Sequence, residues 1–223
     1  MHCHGDRRIR TVLLTGEGPN FCAGGDVREF ASKGEGLPDF LRRATALLQM
    51  SASALVHLEA SVVAAVQGCA AGGGGLGLVC ASDIVIAARS SKYLAGATRV
   101  GMAPDAGASV VLPRLVGFRR AMDMLLTNRI VDAEEALAIG LVTRVVDDGA
   151  LEAEALSVAR ALAAGPPPAL AATKRLLWSG IGLSVDACLP EEARTVSELS
   201  GTADAREGLA AVIERRSPRF TGS

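Results

Sequence analysis

The strongest constraint on this chain is a set of short apolar runs, Ile9–Leu14, Val62–Val66 and Ile84–Ala88, each ending in small or polar residues. The run Ile84–Ala88 is apolar on both faces. A strand of that kind must be covered on both sides, which is the situation of a strand in a parallel sheet flanked by helices. In such sheets ligands bind beyond the strand ends, so the segments after Leu14 and Val66 are where function is to be sought.

The connections fit this reading. Gly16–Asp26 is rich in Gly, Pro and Asn, and Leu41, Ala44, Leu48, Ala52, Leu55 and Leu58 then mark one face of a long helix. After Val66 come Gln67-Gly68, a small-residue stretch, and the run Gly72-Gly73-Gly74-Gly75, leaving room for only a short helix before Ile84. Asp105, following Pro104, opens a helical pattern. Asp132 with Glu134 and Glu135 opens another, and Val142–Val146 is a fourth expected strand. From Leu151 the pattern is helical, broken at Pro166-Pro167-Pro168 and closed by a helix over Thr202–Arg215. Strands alternating with helices, followed by helices alone, predict an α/β core over residues 1–150 and a helical region over 151–223.

Composition narrows the function classes. With 49% hydrophobic residues, 21% charged residues and a net charge of −1 over 223 residues, the chain reads as an ordinary globular protein. No segment approaches the roughly eighteen apolar residues of a membrane span. The basic residues are spread along helices rather than clustered, which argues against nucleic acid as a partner. The five cysteines show no CxxC spacing, and three lie in small or apolar contexts that read as buried, consistent with a reducing cytoplasm. The Met1-His2-Cys3-His4 tip is read as a frayed end rather than a metal site, because no further ligands follow it. No apolar run of a secretory leader is present.

Several catalytic motifs fail on spacing. Gly72, Gly74 and Gly77 match G-x-G-x-x-G, yet a dinucleotide site needs a full helix before its next strand and an acidic residue further on, and here Ile84 follows almost at once. No Lys-Ser or Lys-Thr follows the glycines, which excludes a P-loop. There is no G-x-S-x-G, and His57 falls on the long helix without triad companions. What remains is a pair of glycine-rich strand ends, Phe21-Cys22-Ala23-Gly24-Gly25-Asp26 and Gly72–Gly75. Glycines at neighbouring strand ends let two main-chain N–H groups approach one ligand oxygen, and a helix start behind them adds partial positive charge. That describes an oxyanion hole. Taken singly, each motif is equally well a tight turn.

These residues resemble a family. Val12-Leu13-Leu14-Thr15-Gly16 running into Phe21-Cys22-Ala23-Gly24-Gly25-Asp26-Val27 is similar to the first oxyanion loop of the crotonase (enoyl-CoA hydratase/isomerase) enzymes. Val63–Gly68, the glycine run and Asp83–Ala87 are similar to the second. The likeness continues through Met102-Ala103-Pro104-Asp105, Leu112-Pro113-Arg114, Ala136–Val142 and Arg215–Phe220, and so spans the chain. It implies an α/β spiral of ββα repeats with a helical C-terminal region used in trimer contacts, giving a homotrimer or a dimer of trimers. It also implies an acyl-CoA substrate that carries its own coenzyme A, with no other cofactor and no metal. Relative to the family's usual chain, this sequence begins without the two strands and helix that help cradle the CoA adenine. The expected consequence is a weakened CoA site, or one completed by oligomerisation.

Carried over by position, the first oxyanion amide is that of Gly25. The second is that of Gly74 when the alignment is anchored on Asp83, or of Gly73 when it is anchored on Val66. Ala23, Gly25, Asp26, Val27, Gly73 and Gly74 are the implied substrate-binding positions. The two glutamates of the family's hydratases correspond to Gly77 (or Leu76) and Ala97, neither of which transfers protons. Asp105 is the ionisable residue nearest in pattern. The Ala103-Pro104-Asp105 context, Ser82-Asp83 and Ser217–Gly222 resemble ring-epoxide phenylacetyl-CoA isomerases and related enoyl-CoA isomerases. A single carboxylate suffices for double-bond migration, so isomerisation is expected over hydration. Two alternatives stand beside this reading. Asp105 can instead be a helix N-cap worth about 1 kcal/mol, and the protein can be a non-catalytic acyl-CoA-binding or assembly member of the same fold. Asp26 and Asp83, at junctions of loops with regular elements, read as structural.

Overall fold

The computed structural model describes residues 3–223, so the Met1-His2 part of the N-terminal tip lies outside the described residues. Two compact units emerge. One comprises Leu13–Val56 and Val63–Leu156. The other comprises the chain up to Val12, His57–Val62 and Ser157–Ser223.

The elements of the α/β part follow in chain order. They are β1 (Thr11–Thr15), α1 (Val27–Ser32), α2 (Leu37–His57), β2 (Ser61–Val66), β3 (Cys69–Ala71), a π-helical turn (Gly73–Gly77) running into α3 (Leu78–Cys80), β4 (Ile84–Ala88), β5 (Lys92–Leu94), a 3₁₀ turn (Ala97–Val100), α4 (Ala108–Val116), α5 (Phe118–Thr127), β6 (Val131–Asp132), α6 (Ala133–Ala138) and β7 (Arg144–Val146). One sheet has the order β1-β2-β4-β7. Within it β2 and β4 are parallel, with Val63 opposite Ile84 and Val66 opposite Ala87, and β4 and β7 are parallel, with Ile86 opposite Arg144. The second sheet, β3-β5-β6, pairs Ala70 with Tyr93 in parallel and Tyr93 with Val131 antiparallel.

Burial follows from the patterning. Every residue of β2 is buried, as are Val85–Ala88 of β4. The main core gathers Val66, Ala70, Leu76, Val79, Val85, Tyr93, Leu112, Met124 and Val131, joining both sheets to α3, α4 and α5. The hydroxyl of Tyr93 is kept from isolation by Ser91, whose Oγ lies 3.2 Å away. A smaller cluster of Ala52, Ala81 and Ala106, flanked by Leu48, Leu55 and Val56, accounts for the apolar stripe read along α2. Of the cysteines only Cys80 is buried, and burial pushes its thiol up to about 12. Cys22, Cys69 and Cys188 are half-buried, which corrects the expectation of three buried thiols. Cys69 follows Gly68 and Cys22 precedes Ala23-Gly24, so small neighbours leave both accessible.

The helical unit contains the end of α7 (Leu151–Ala163), then α8 (Pro167–Gly180), α9 (Val185–Ser200) and α10 (Ala203–Glu214). The proline triplet starts α8, Ser184 caps α9 through Ala187 N–H, and Thr202 caps α10 through Ala205 N–H. The buried carboxylate of Asp204 accepts from Thr221 N–H at 2.8 Å and Gly222 N–H at 2.9 Å, fastening the tail to α10. Arg216 forks onto Glu207 and completes that clasp.

Ile86 is fully buried in the central strand β4. Its truncation leaves a void on the one face of the sheet that its side chain fills, so Ile86→Ala should lower unfolding free energy by about 2–5 kcal/mol in urea titration. A loss under about 1 kcal/mol would contradict the core as described.

Candidate active site

The two glycine-rich segments are brought together by main-chain pairing. Phe21 N–H donates to Gln67 O (2.8 Å), Cys22 N–H to Cys69 O (3.1 Å), and Ala71 N–H to Cys22 O (2.8 Å), so Cys22 pairs with Ala70 as a short parallel bridge. Asn20 secures the approach by accepting Cys69 N–H at 2.9 Å, and Gln67 Nε2 donates to Gly16 O at 2.7 Å. Just past the bridge Gly24 (φ +93°) and Gly72 (φ +61°) abut. A Cβ on Gly24 would stand 3.2 Å from Ala71 O, and one on Gly72 would stand 3.7 Å from Gly24 Cα. The positive φ calls for glycine at both positions, and at Gly24 the tight approach to Ala71 O does as well.

The π-helical turn follows at once. Its first amides lack intrahelical acceptors, as at any helix start. Among the described residues the main-chain N–H groups of Gly25, Gly73 and Gly74 donate to no acceptor. Each of these glycines instead has one side chain pressed against its Cα. A Cβ on Gly25 would overlap the Phe30 ring, one on Gly73 would overlap Asp105 Oδ1, and one on Gly74 would come within 3.0 Å of Cys22 Sγ. Further along the same turn, a Cβ on Gly77 would lie 2.6 Å from Ala106 Cβ.

Asp105 is therefore next to the glycine run. The N-cap alternative for it is overturned: α4 begins at Ala108, its cap is Gly107, and no side chain caps it. The helix starts later than expected because Ala106 (φ +49°) and Gly107 (φ +81°) are both left-handed, which no α-helix accommodates. Asp26, in contrast, caps α1 by accepting from Arg28 N–H (2.8 Å) and Glu29 N–H (3.2 Å). Its carboxylate is engaged by its own helix. Ala23 and Gly25 are exposed beside it, as is Val27 at 56%.

Of the positions expected to correspond to the hydratase glutamates, Leu76 is buried in the main core, Gly77 is covered by the Ala106 methyl, and Ala97 begins the 3₁₀ turn. Of the described residues near the glycines, only Asp105 has a carboxylate against one of them. Burial raises the Asp105 pKa above its ordinary 3.8, opposed in part by its own main-chain N–H. A carboxylate in such a setting is a stronger base than one in water.

Two contributors escaped sequence reasoning. Phe30 lies on α1, five residues after Gly25, and packs edge-on against Phe40 at 6.1 Å, with Lys33 Nζ 4.5 Å from the Phe40 ring centre. Ala106 gave no signal, since alanine does not announce a left-handed backbone.

The family model described as enoyl-CoA hydratase/isomerase matches residues 1–223. The chain belongs to the enoyl-CoA hydratase/isomerase family. A probable enoyl-CoA hydratase of Rhodobacter capsulatus is 42% identical over 214 residues, covering 96% of this chain and 81% of the relative. The 1,2-epoxyphenylacetyl-CoA isomerase of Escherichia coli is 38% identical over 219 residues, covering 97% and 83%. The crystal structure of an enoyl-CoA hydratase from Bacillus anthracis superposes with a TM-score of 0.93 at 34% identity, covering 100% of this chain and 85% of that one. The crotonase-type α/β fold with a helical C-terminal region is thereby established for this family member. No helix among the described residues is long and apolar enough to cross a membrane.

The raised pKa has a measurable consequence for stability. Over the interval between 3.8 and the higher folded value, the folded protein keeps the Asp105 proton that the unfolded chain has lost. The carboxyl's stabilising contribution is thus full below 3.8 and is lost as pH rises through the folded pKa. Asp105→Asn should gain on the parent across that rise and then hold a constant difference. Urea midpoints of both proteins between about pH 4 and about pH 7 test this; a difference that stays flat or shrinks would contradict it.

Proposed function

We propose that this family member catalyses double-bond migration in an enoyl-CoA thioester. Gly25 N–H and the N–H of Gly74, or of its neighbour Gly73, receive the thioester oxygen, and Asp105 moves the proton. The observation that carries this reading is the single part-buried carboxylate held against the glycine run, with no second acid at Gly77 or Ala97. In the proposed cycle Asp105 takes a proton from C2 of a 3-enoyl thioester. The electron pair passes through the carbonyl onto oxygen, where the two amides stabilise the dienolate. The same proton, now on Asp105, returns to C4, and the double bond lies between C2 and C3. Each oxyanion donor of this kind is worth about 3 kcal/mol of barrier. Hydration would need one group to direct water and another to supply a proton, and only one is at hand.

Ala23, Asp26, Val27 and Gly73 line the same mouth in this reading. Coenzyme A arrives on the substrate, and the proton transfers use no cofactor held by the protein. The half-buried thiols of Cys22 and Cys69 favour a reducing compartment such as the cytoplasm. Assembly into a trimer, or a dimer of trimers, is supported by the apolar side chains left in solvent on α9 and α10, among them Val196 (67%), Val212 (78%) and Ile213 (80%). Sedimentation equilibrium should return three or six times the chain mass, and a monomer at micromolar concentration would refute the assembly.

The reaction is tested by incubating the protein with trans-3-enoyl-CoA and trans-2-enoyl-CoA. Conversion of the 3-enoyl compound without net water addition is expected. Asp105→Asn should lower kcat by about 10²–10⁴ while acyl-CoA binding stays within a few-fold. An active Asn variant, or a hydroxyacyl product as the main outcome, would overturn isomerisation. Binding without turnover of any thioester would favour a non-catalytic acyl-CoA-binding protein.

A further inference from the structure

We infer that Ala106 is the positioning residue of the site: its methyl, seated on Gly77, is the peg that holds the neighbouring Asp105 carboxylate on Gly73. The inference rests on the proposed acid/base role of Asp105 and adds the element that fixes that carboxylate in place.

Ala106 is one of three non-glycine residues with positive φ among the described residues, and Gly107 after it is left-handed as well. A left-handed backbone is unfavourable for alanine and is retained where the surroundings over-determine it. The surroundings here are specific. The Ala106 methyl is buried in a cluster with Ala52 of α2 and Ala81 just past α3, walled by Leu48, Leu55 and Val56. It also stands so close to Gly77 that any side chain there would displace it.

Gly73 and Gly77 are four residues apart and share one face of the helical turn. The loop 105–107 therefore docks on that face through two adjacent contacts, the Asp105 carboxylate over Gly73 and the Ala106 methyl over Gly77. The methyl contact is apolar, buried and non-exchangeable with water. The carboxylate lies against Gly73 with no ion pair or hydrogen bond to the turn to hold it there. Left alone, such a carboxylate turns toward solvent. Its place against the glycines is maintained by the residue beside it, and a glycine at 106, free to adopt the same φ, would lack the contact that keeps the loop seated.

The test compares Ala106→Gly, Ala106→Ser and Asp105→Asn in double-bond migration of trans-3-enoyl-CoA across pH. Ala106→Gly relieves the left-handed conformation, so it should fold, as judged by its thermal midpoint. A displacement of the carboxylate by about 1 Å should lower its kcat tenfold or more with KM unchanged. The acid limb of its rate profile should also shift down toward the ordinary 3.8 of a solvated carboxylate. Ala106→Ser keeps Cβ and should remain within about threefold of the parent. If Asp105→Asn is inactive while Ala106→Gly keeps the parental kcat and acid limb, the positioning role is wrong and the acid/base reading stands. Ala106→Ser falling as far as Ala106→Gly would equally refute the peg. If Asp105→Asn is fully active, the acid/base reading fails and the inference falls with it.

Discussion

The site depends on a contact between two stretches of main chain with no side chains between them. The Cys22–Ala70 bridge draws the loop after β1 against β3, and just past it Gly24 and Gly72 lie so close that a Cβ on Gly72 would touch Gly24 Cα, both with positive φ. Everything chemical is downstream of that approach. Gly25 is one residue beyond Gly24, and the π-helical turn begins one residue beyond Gly72, so the unpaired amides of the two segments each follow directly on that approach. A side chain at Gly24 would be strained in conformation and pressed on Ala71 O, and the two loops would part.

Upon this base the chain sets four side chains against four glycines. Phe30 covers Gly25, Cys22 covers Gly74, Asp105 covers Gly73 and Ala106 covers Gly77. Only one of the four, Asp105, is a carboxylate. The chemistry proposed for the site is correspondingly spare: fixed main-chain dipoles take the developing negative charge, and one carboxylate, made more basic by burial, ferries a proton between carbons. Preorganisation of this kind needs rigidity. The core beneath it provides that, with Leu76 and Val79 of the helical turn locked among β2, β4 and β5.

How much of this was legible in the sequence follows from physical scale. β4 was read at its observed limits because a strand buried on both faces is a continuous apolar run, and β2 was placed to within one residue for the same reason. The short strands β3, β5 and β6 went unread, since two or three residues carry no periodicity and their pairing is decided by tertiary neighbours. The meeting of the two glycine-rich strand ends was legible because close backbone approach leaves a mark in composition. The seating of Asp105 left none, for it depends on the left-handed turn at Ala106, which an alanine in sequence conceals. Phe30 was hidden likewise, being one aromatic residue on a short exposed helix until the fold brings its ring over Gly25.

The central claim is that main-chain N–H groups from the two loops converge on one thioester oxygen. Isotope-edited infrared difference spectroscopy addresses it directly, using a saturated acyl-CoA labelled with ¹³C at the thioester carbonyl and bound to the intact protein. Two donors aimed at that oxygen polarise the bond, and the labelled stretch should move to lower frequency than in water. A band at or above its aqueous position would mean that the amides point elsewhere, and the account built on them would be wrong.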